Sequence, residues 1–289
     1  MKKIVFYGTV ALAISMVALS CKEVGPDINL GNNQNVIADT TYIESPVAAA
    51  EQKNVVIEEF TGVRCPNCPQ GHVIISNIKA QNPDRIVSVS LHPINSLGAP
   101  YSFSVHDFRS QEAQGMFDYL GQIGLEPAAG IDREKFNGEN AILLDKSKWQ
   151  TRVNQQLAVA PPVNIVLEKT YDSTTHELTV VAEVHYTQEV SEENKMTVLL
   201  TESGMVTAQL DGSIIDTFYV HKDIMRTYLT STQGDQITTT REAGRVVRRV
   251  YKKVLDAAWK PENMYIVAYV HEYVNGKRVY QGKEVHVID

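Results

Sequence analysis

The chain has 289 residues, 43% hydrophobic and 21% charged, with 27 Lys and Arg against 34 Asp and Glu, and three cysteines. This apolar fraction excludes wholesale disorder and a collagen-like or coiled-coil rod, and the length suggests two domains. The acidic balance argues against nucleic acid as a partner, since neutralising phosphates needs clustered positive charge; three cysteines are too few for a disulfide scaffold and leave one sulfur to explain.

Met1-Lys2-Lys3 precedes an apolar run over residues 4–19 that ends Ala18-Leu19-Ser20-Cys21. A basic start, a short apolar core and small residues before a cut are the layout of a secretory signal. The run is shorter than the roughly twenty residues of a spanning helix. A cysteine directly after it resembles a bacterial lipobox, although Leu19 stands one position later than in the common pattern. That resemblance implies removal of residues 1–20 and acylation of Cys21; the alternative is an uncleaved anchor with an incidental cysteine. An acidic chain gains nothing from anionic headgroups, so attachment would rest on the acyl chains. Lys22-Glu23 resembles the signal that sends Bacteroidota lipoproteins to the cell surface. Residues 21–53 lack sustained periodicity and read as a flexible tether.

Residues 54–60 (NVVIEEF) form a short β-branched, apolar run that predicts a buried strand. Thr61 to Arg64 turn, and Cys65-Pro66-Asn67-Cys68 leads into a segment with Ile74, Ile75 and Ile78 at helical spacing. Residues 86–91 (IVSVSL) predict the next strand, completing a βαβ unit with the cysteines at its helix start. Free N–H groups and the helix dipole favour thiolate there. Cys65 is therefore the expected exposed nucleophile and Cys68 the resolving thiol. Pro66 suits a first helical position, and Arg64 would add positive charge beside the nucleophile.

These residues resemble the thioredoxin-like superfamily. The resemblance implies a buried acid in the strand before the motif, where Glu59 stands and would accept the Cys68 proton. Glu58 would point to the other sheet face and is the alternative. It also implies a cis-proline opposite the cysteines, for which Pro127 in Glu126-Pro127-Ala128-Ala129-Gly130-Ile131 is the candidate. Helices are expected over residues 110–121 and 145–157, with Trp149, Val153 and Leu157 on the buried face of the second. Pro161-Pro162 marks the end of this domain near residue 160.

Other readings of the pair have weaker support. Structural zinc wants four ligands, and no HxxxH follows. A soft metal such as copper could take Cys65, Cys68 and His72, but His72 reads more simply as a polar rim residue; heme attachment needs His directly after Cys68, where Pro69 stands. No metal or other cofactor is expected. A structural disulfide remains open, although a CxxC loop is short.

Residues 163–168, 178–186, 196–202, 246–254, 264–273 and 279–287 predict half-buried strands, with turns at Asp172-Ser173-Thr174 and Asn275-Gly276. This pattern implies an antiparallel sandwich. Residues 205–240 are less regular and hold Asp211-Gly212, His221 and Arg226. In the basic run Arg245, Arg248, Arg249, Lys252 and Lys253, alternation places Val246, Val250 and Val254 inward and the charges on an exposed face that deters edge pairing. Tyr265, Tyr269 and Tyr273 read as packing residues.

The expected fold is thus a thioredoxin-like α/β domain (residues 54–160) followed by an antiparallel β-sandwich-like domain (161–289). The arrangement resembles the twenty-eight-kilodalton outer-membrane lipoprotein family of Bacteroidota, on Thr61, Gly62, Cys65, Pro66, Asn67, Cys68, Pro69, Gly71 and His72, with His221, Arg226 and Gly234 beyond. That resemblance implies an outer-membrane, lipid-anchored protein, facing the periplasm or the cell surface. The expected function is thiol–disulfide exchange or isomerisation on exported protein thiols; the alternative is a surface binding or adhesion lipoprotein with a structural disulfide.

Overall fold

The computed structural model describes residues 35–289. The signal, Cys21 and the start of the tether lie outside the described residues. The rest of the tether contains a strand, β1 (Val36–Ile43), which corrects the expectation of a featureless linker up to residue 53. Its partner is a strand from the far end of the chain, so its own modest apolar content was no guide to it.

β2 (Val55–Phe60) leads through the cysteine turn into α1 (Cys68–Gln81), then β3 (Ile86–Leu91), α2 (Gln111–Leu120), β4 (Ala128–Ile131), β5 (Leu143–Asp145) and α3 (Trp149–Gln156). β2 and β3 pair in parallel across the α1 crossover, while β4 runs antiparallel to β2. Every residue of β2 and β3 is buried, as continuous apolar runs covered on both faces should be. Ser110 caps α2 by accepting from Ala113 N at 3.0 Å.

The second half is all strand apart from one 3₁₀ turn. It comprises β6 (Val163–Asp172), β7 (Glu177–Tyr186), β8 (Asn194–Glu202), β9 (Met205–Asp211), β10 (Ile214–His221), β11 (Ile224–Tyr228), β12 (Asp235–Gln236), β13 (Arg245–Val254), β14 (Met264–Glu272) and β15 (Val279–His286). A four-stranded sheet has the order β1-β13-β7-β6, and a larger one the order β15-β14-β8-β11-β3-β2-β4-β5 with β12 beside β8. β11 pairs in parallel with β3 at Ile224 and Ser90, so the larger sheet runs unbroken across residue 160. The chain is mostly β, with three α-helices among the described residues.

Three apolar cores hold these layers. Val180, Val184, Val247 and Tyr251 of the smaller sheet meet Val198, Leu200, Ile266 and Ala268 of the larger. α1 and α3 bury Ile75, Ile78, Trp149 and Val153 against Val55, Ile57, Ala129 and Ile131. α2 packs Met116, Phe117 and Leu120 against Phe60, Val87, Leu199 and Val267 on the other face. Each fully buried side chain of this size contributes about 1.5–3 kcal/mol. The larger sheet curls until β15 meets β2: a Cβ on Gly282 would lie 2.5 Å from Val56 Cγ2.

The phase of β13 is a second correction. Val247 and Tyr251 face the sandwich core, whereas Val254 is 63% exposed. The strand is internal, between β1 and β7, so its charges guard no edge. Arg249 is buried and donates from Nε to Asp39 Oδ2 on β1 at 2.8 Å. An ion pair from another strand thus overrides the simple alternation.

Candidate functional site

The cysteine turn is fixed from both ends. Thr61 N donates to Leu91 O at 3.0 Å and Arg64 N to Leu97 O at 2.8 Å. Gly62 is required by close approach: a Cβ there would lie 2.4 Å from Leu97 O. Cys68 is the first residue of α1 and Pro69 follows in its first turn. Cys65 and Cys68 form a disulfide with Cα atoms 5.4 Å apart. Free N–H groups at the helix start favour negative charge on sulfur once the bond opens.

The Glu126–Pro127 peptide bond is cis, and it stands opposite the pair. Cys65 Sγ lies 3.4 Å from Glu126 O. A disulfide sulfur has no proton to donate, but a Cys65 thiol in the same place does. Asn95 Nδ2 donates to Glu126 Oε1 at 2.5 Å, and burial pushes the Glu126 carboxyl up. Pro127 is buried against α1: a Cβ on Gly71 would lie 3.0 Å from its Cγ, and 2.8 Å from Glu59 Oε1.

The two adjacent carboxylates of β2 separate to opposite faces. Glu58 receives a bidentate bond from Arg133 at 2.6 and 2.7 Å and a bond from Tyr269 Oη at 2.9 Å. Glu59 lies beneath the first turns of α1, and its Oε1 has no hydrogen-bond partner among the described residues. Burial, reinforced by the Asp223 charge and opposed by the Ser90 hydroxyl, holds Glu59 well above the usual carboxylate range. Burial of this kind favours the protonated acid over the carboxylate relative to a solvated glutamate.

His72 links Glu59 to the surface. Its Nε2 lies 3.0 Å from Thr61 Oγ1 and 3.7 Å from Glu59 Oε2, and its Nδ1 is 2.7 Å from Tyr219 Oη. Burial pulls the imidazole down to about 4, against an opposing pull from Asp223. Burial, then Glu59, pushes the Tyr219 phenol up to about 12. Both groups are therefore neutral at pH 7. They line a cleft of about 660 Å³ between α1 and β10 that also holds Glu59, Ser90, Lys79 and Asp223. Lys79 Nζ donates to Asp223 Oδ2 at 3.2 Å and lies 3.6 Å from Glu284.

The ribbon formed by β9 and β10 lies across the main chain of the cysteine turn. Leu210 N donates to Val63 O at 2.8 Å and Gly212 N to Pro66 O at 2.9 Å. Gln209 Nε2 donates to both Gly62 O and Cys65 O at 3.2 Å. Cys65 is 1% exposed and Cys68 0%, which corrects the expectation of an exposed nucleophile. Arg64 donates to Ala99 O and Pro100 O, both at 2.7 Å, and stacks over Tyr101. It braces the loop after β3 instead of reaching for sulfur.

His221 and Arg226 do not converge. His221 packs against Tyr219 and Phe108, with His92 beyond, and the ring nitrogens of His92 and His221 have no hydrogen-bond partner among the described residues. Arg226 instead faces Glu202 at 3.4 Å and the Trp259 ring. No cluster of three or more His, Cys, Asp or Glu side chains suited to a metal occurs among the described residues, and no helix there is long and apolar enough to cross a membrane.

Gln209 and Tyr219 are the site residues that sequence reasoning missed. The signal was present: Asp211-Gly212 stands between two β-prone runs, a strong hairpin cue. Nothing local tells where such a hairpin lies.

A family model described as outer membrane protein Omp28 matches residues 116–287. No curated protein matches the chain. Among solved structures, HBP35 of Porphyromonas gingivalis superposes with a TM-score of 0.66 at 16% identity, covering 83% of this chain and 77% of that one. A structural-genomics protein from Agrobacterium tumefaciens superposes at 0.52 and 12% identity, covering 83% and 97%. At these identities the likeness is one of fold.

Proposed function

The chain belongs to the Omp28 outer membrane protein family and is an outer-membrane protein, and on that premise we propose that it is a thiol–disulfide oxidoreductase or isomerase acting on exported proteins. The observation that carries the reading is the cysteine pair at the start of α1, facing the carbonyl before a cis-proline above a buried acid. The order β2, cysteine pair, α1, parallel β3, then antiparallel β4 after the cis-proline supports a thioredoxin-like unit for residues 54–160. Cys21, outside the described residues, is the proposed acylation site.

In the oxidising direction a partner thiolate attacks Cys65 Sγ. The Cys65–Cys68 bond breaks, and its electron pair leaves on Cys68, which takes a proton from Glu59. A second partner thiolate attacks the partner's sulfur in the mixed disulfide, and Cys65 leaves as thiolate. The partner loses two electrons and the pair gains them. In isomerisation the Cys65 thiolate attacks a partner disulfide and is released by another partner thiol, with no net transfer. Disulfide exchange on a reduced, unfolded exported protein, compared with a Cys65→Ser chain, tests the reading; equal rates would end it.

The burial of both sulfurs favours a second reading, in which the disulfide locks the turn of a surface binding protein. A redox titration separates the two: a structural bond in an exported protein lies below about −300 mV, whereas exchange catalysts lie well above.

A further inference from the structure

The ribbon that lies across the cysteine turn is an insertion with a narrow neck. β8 ends at Glu202 and β11 begins at Ile224, and these residues are already paired with each other. The chain between them leaves the sheet and returns. On either side of the neck Gly204 (φ 76°) and Asp223 (φ 55°) adopt left-handed backbone. Ser203 Oγ joins the two sides, accepting from Asp223 N at 2.9 Å and donating to Asp223 Oδ1 at 3.2 Å.

Beyond the neck, the ribbon is tied to the cysteine turn and to the loop after β3. The ties are the bonds from Leu210 N, Gly212 N and Gln209 Nε2 to the 62–66 carbonyls, the Tyr219–His72 bond, the bond from Val105 N to Thr207 Oγ1, the packing of His221 on Phe108 and His92, and a small apolar cluster of Met205 with Val63, Phe108 and Ile224. The outer face is open to solvent, with Ile214 71% and Phe218 81% exposed. Lifting the ribbon breaks no pairing of the larger sheet. A segment with few buried contacts and a solvent-facing side opens at a fraction of the global unfolding free energy.

We propose that the β9–β10 ribbon is a hinged cover, swinging on the Ser203-Gly204 and Lys222-Asp223 neck, that sets which thiols reach the Cys65–Cys68 disulfide. Resting on the exchange reading above, it deepens that reading by selecting the partner. A small thiol has no row of main-chain N–H donors to match the Gly62, Val63 and Pro66 carbonyls that the ribbon vacates, so it depends on spontaneous opening. An extended polypeptide replaces the lost N–H donors with its own main chain, and it stabilises the open form as it binds.

Dithiothreitol reports on the cover alone. One of its thiolates attacks Cys65 Sγ and Cys68 leaves, taking the Glu59 proton. The second thiolate attacks the dithiothreitol sulfur of the mixed disulfide, Cys65 leaves as thiolate and the cyclic disulfide closes. The pair thus gains two electrons while solvent protons restore Glu59 and protonate Cys65. Reduction of the oxidised full chain is followed by quenching and alkylation in three forms. These are the wild type, a Gln209→Ala/Tyr219→Phe double variant, and a chain with residues 205–221 excised so that Gly204 joins Lys222. The double variant is expected to react about tenfold faster than wild type, as loss of several weak bonds implies, and the excised chain faster again. A wild-type rate equal to that of the double variant overturns the cover. If the excised chain fails to fold by circular dichroism, the double variant decides, because it retains the ribbon. Amide exchange gives a second readout: Leu210 and Gly212 should exchange together and well before β8 and β14, and protection as deep as β14 would also overturn the cover. Loss of exchange in the Cys65→Ser chain bears on the reaction and dithiothreitol rates on the cover, so either can fail without the other.

Discussion

Tyr219 Oη lies 2.7 Å from Nδ1 of His72, so the covering ribbon is bonded to the helix that begins at Cys68. With the Tyr219 phenol pushed up to about 12 and the His72 imidazole held down to about 4, the bond joins two neutral groups at pH 7. Tyr219→Phe keeps the ring and removes this bond alone. A loss of about 1 kcal/mol is expected, read as a lower urea midpoint with unchanged slope.

Acid should loosen the same region. Burial holds His72 and His221 down at about 4, and His92 well below its ordinary value. Each is depressed in the fold, so the unfolded chain takes up protons first as the pH drops. The stability these groups contribute is whole above their unfolded value near 6.5 and is lost as the pH falls through about 4. The histidines' contribution to the melting temperature is expected to fall between pH 7 and 4.5, while raised carboxyls such as Asp132 and Glu284 contribute with the opposite sign. His221→Phe, which keeps the contacts with Phe108 and Tyr219, should flatten that fall; an unchanged slope would mean that His221 takes up its proton alike in the folded and unfolded chains.

Glu59 titrates with the opposite sign. Its folded-state value is raised, so its stabilisation is complete below the unfolded value near 4.5 and declines as the pH rises towards the folded one. Glu59→Gln carries no charge to bury. The variant should gain on wild type in urea unfolding as the pH rises above the unfolded value near 4.5. The same substitution removes the proposed proton donor to Cys68, and exchange should slow by about a hundredfold. A more stable protein that exchanges more slowly would assign Glu59 to function over fold.

How much of this was legible in the sequence depends on the range of the interaction. Strand β2, the helix at Cys68 and the split of Glu58 and Glu59 to opposite faces follow from period-two and 3.6-residue spacing within a few residues. The cis bond at Pro127 came from the family resemblance, which carried information that local spacing lacked. The cover did not come through: Tyr219 meets His72 across 147 residues of chain, and β10 is exposed along most of its length, so it shows no buried-face alternation to read. β1 was lost for a related reason, because Asp39 is there to meet Arg249, 210 residues away. Long-range ion pairs and covers leave no local period behind.

Gly71 sets two opposing effects against each other. It is the fourth residue of α1, and Gly→Ala within a helix ordinarily gains up to about 1 kcal/mol of helix propensity. Yet an added Cβ would come 2.8 Å from Glu59 Oε1, 3.0 Å from Pro127 Cγ and 3.1 Å from Trp149 Cη2. Trp149 and Pro127 are rigid and buried, so relief requires α1 to move away from the sheet. Overpacking of this kind costs about 1–3 kcal/mol, which outweighs the propensity gain. Gly71→Ala is therefore expected to destabilise the protein by about 1 kcal/mol in urea unfolding. Because α1 carries Cys68 at its first residue, the same shift would change the reduction potential of the pair, whereas Gly115→Ala in α2, where a Cβ meets nothing within 4 Å, should stabilise and leave the potential unchanged. If Gly71→Ala instead matches Gly115→Ala, then the helix yields freely and the close seat over Glu59 and Pro127 does not position the cysteines.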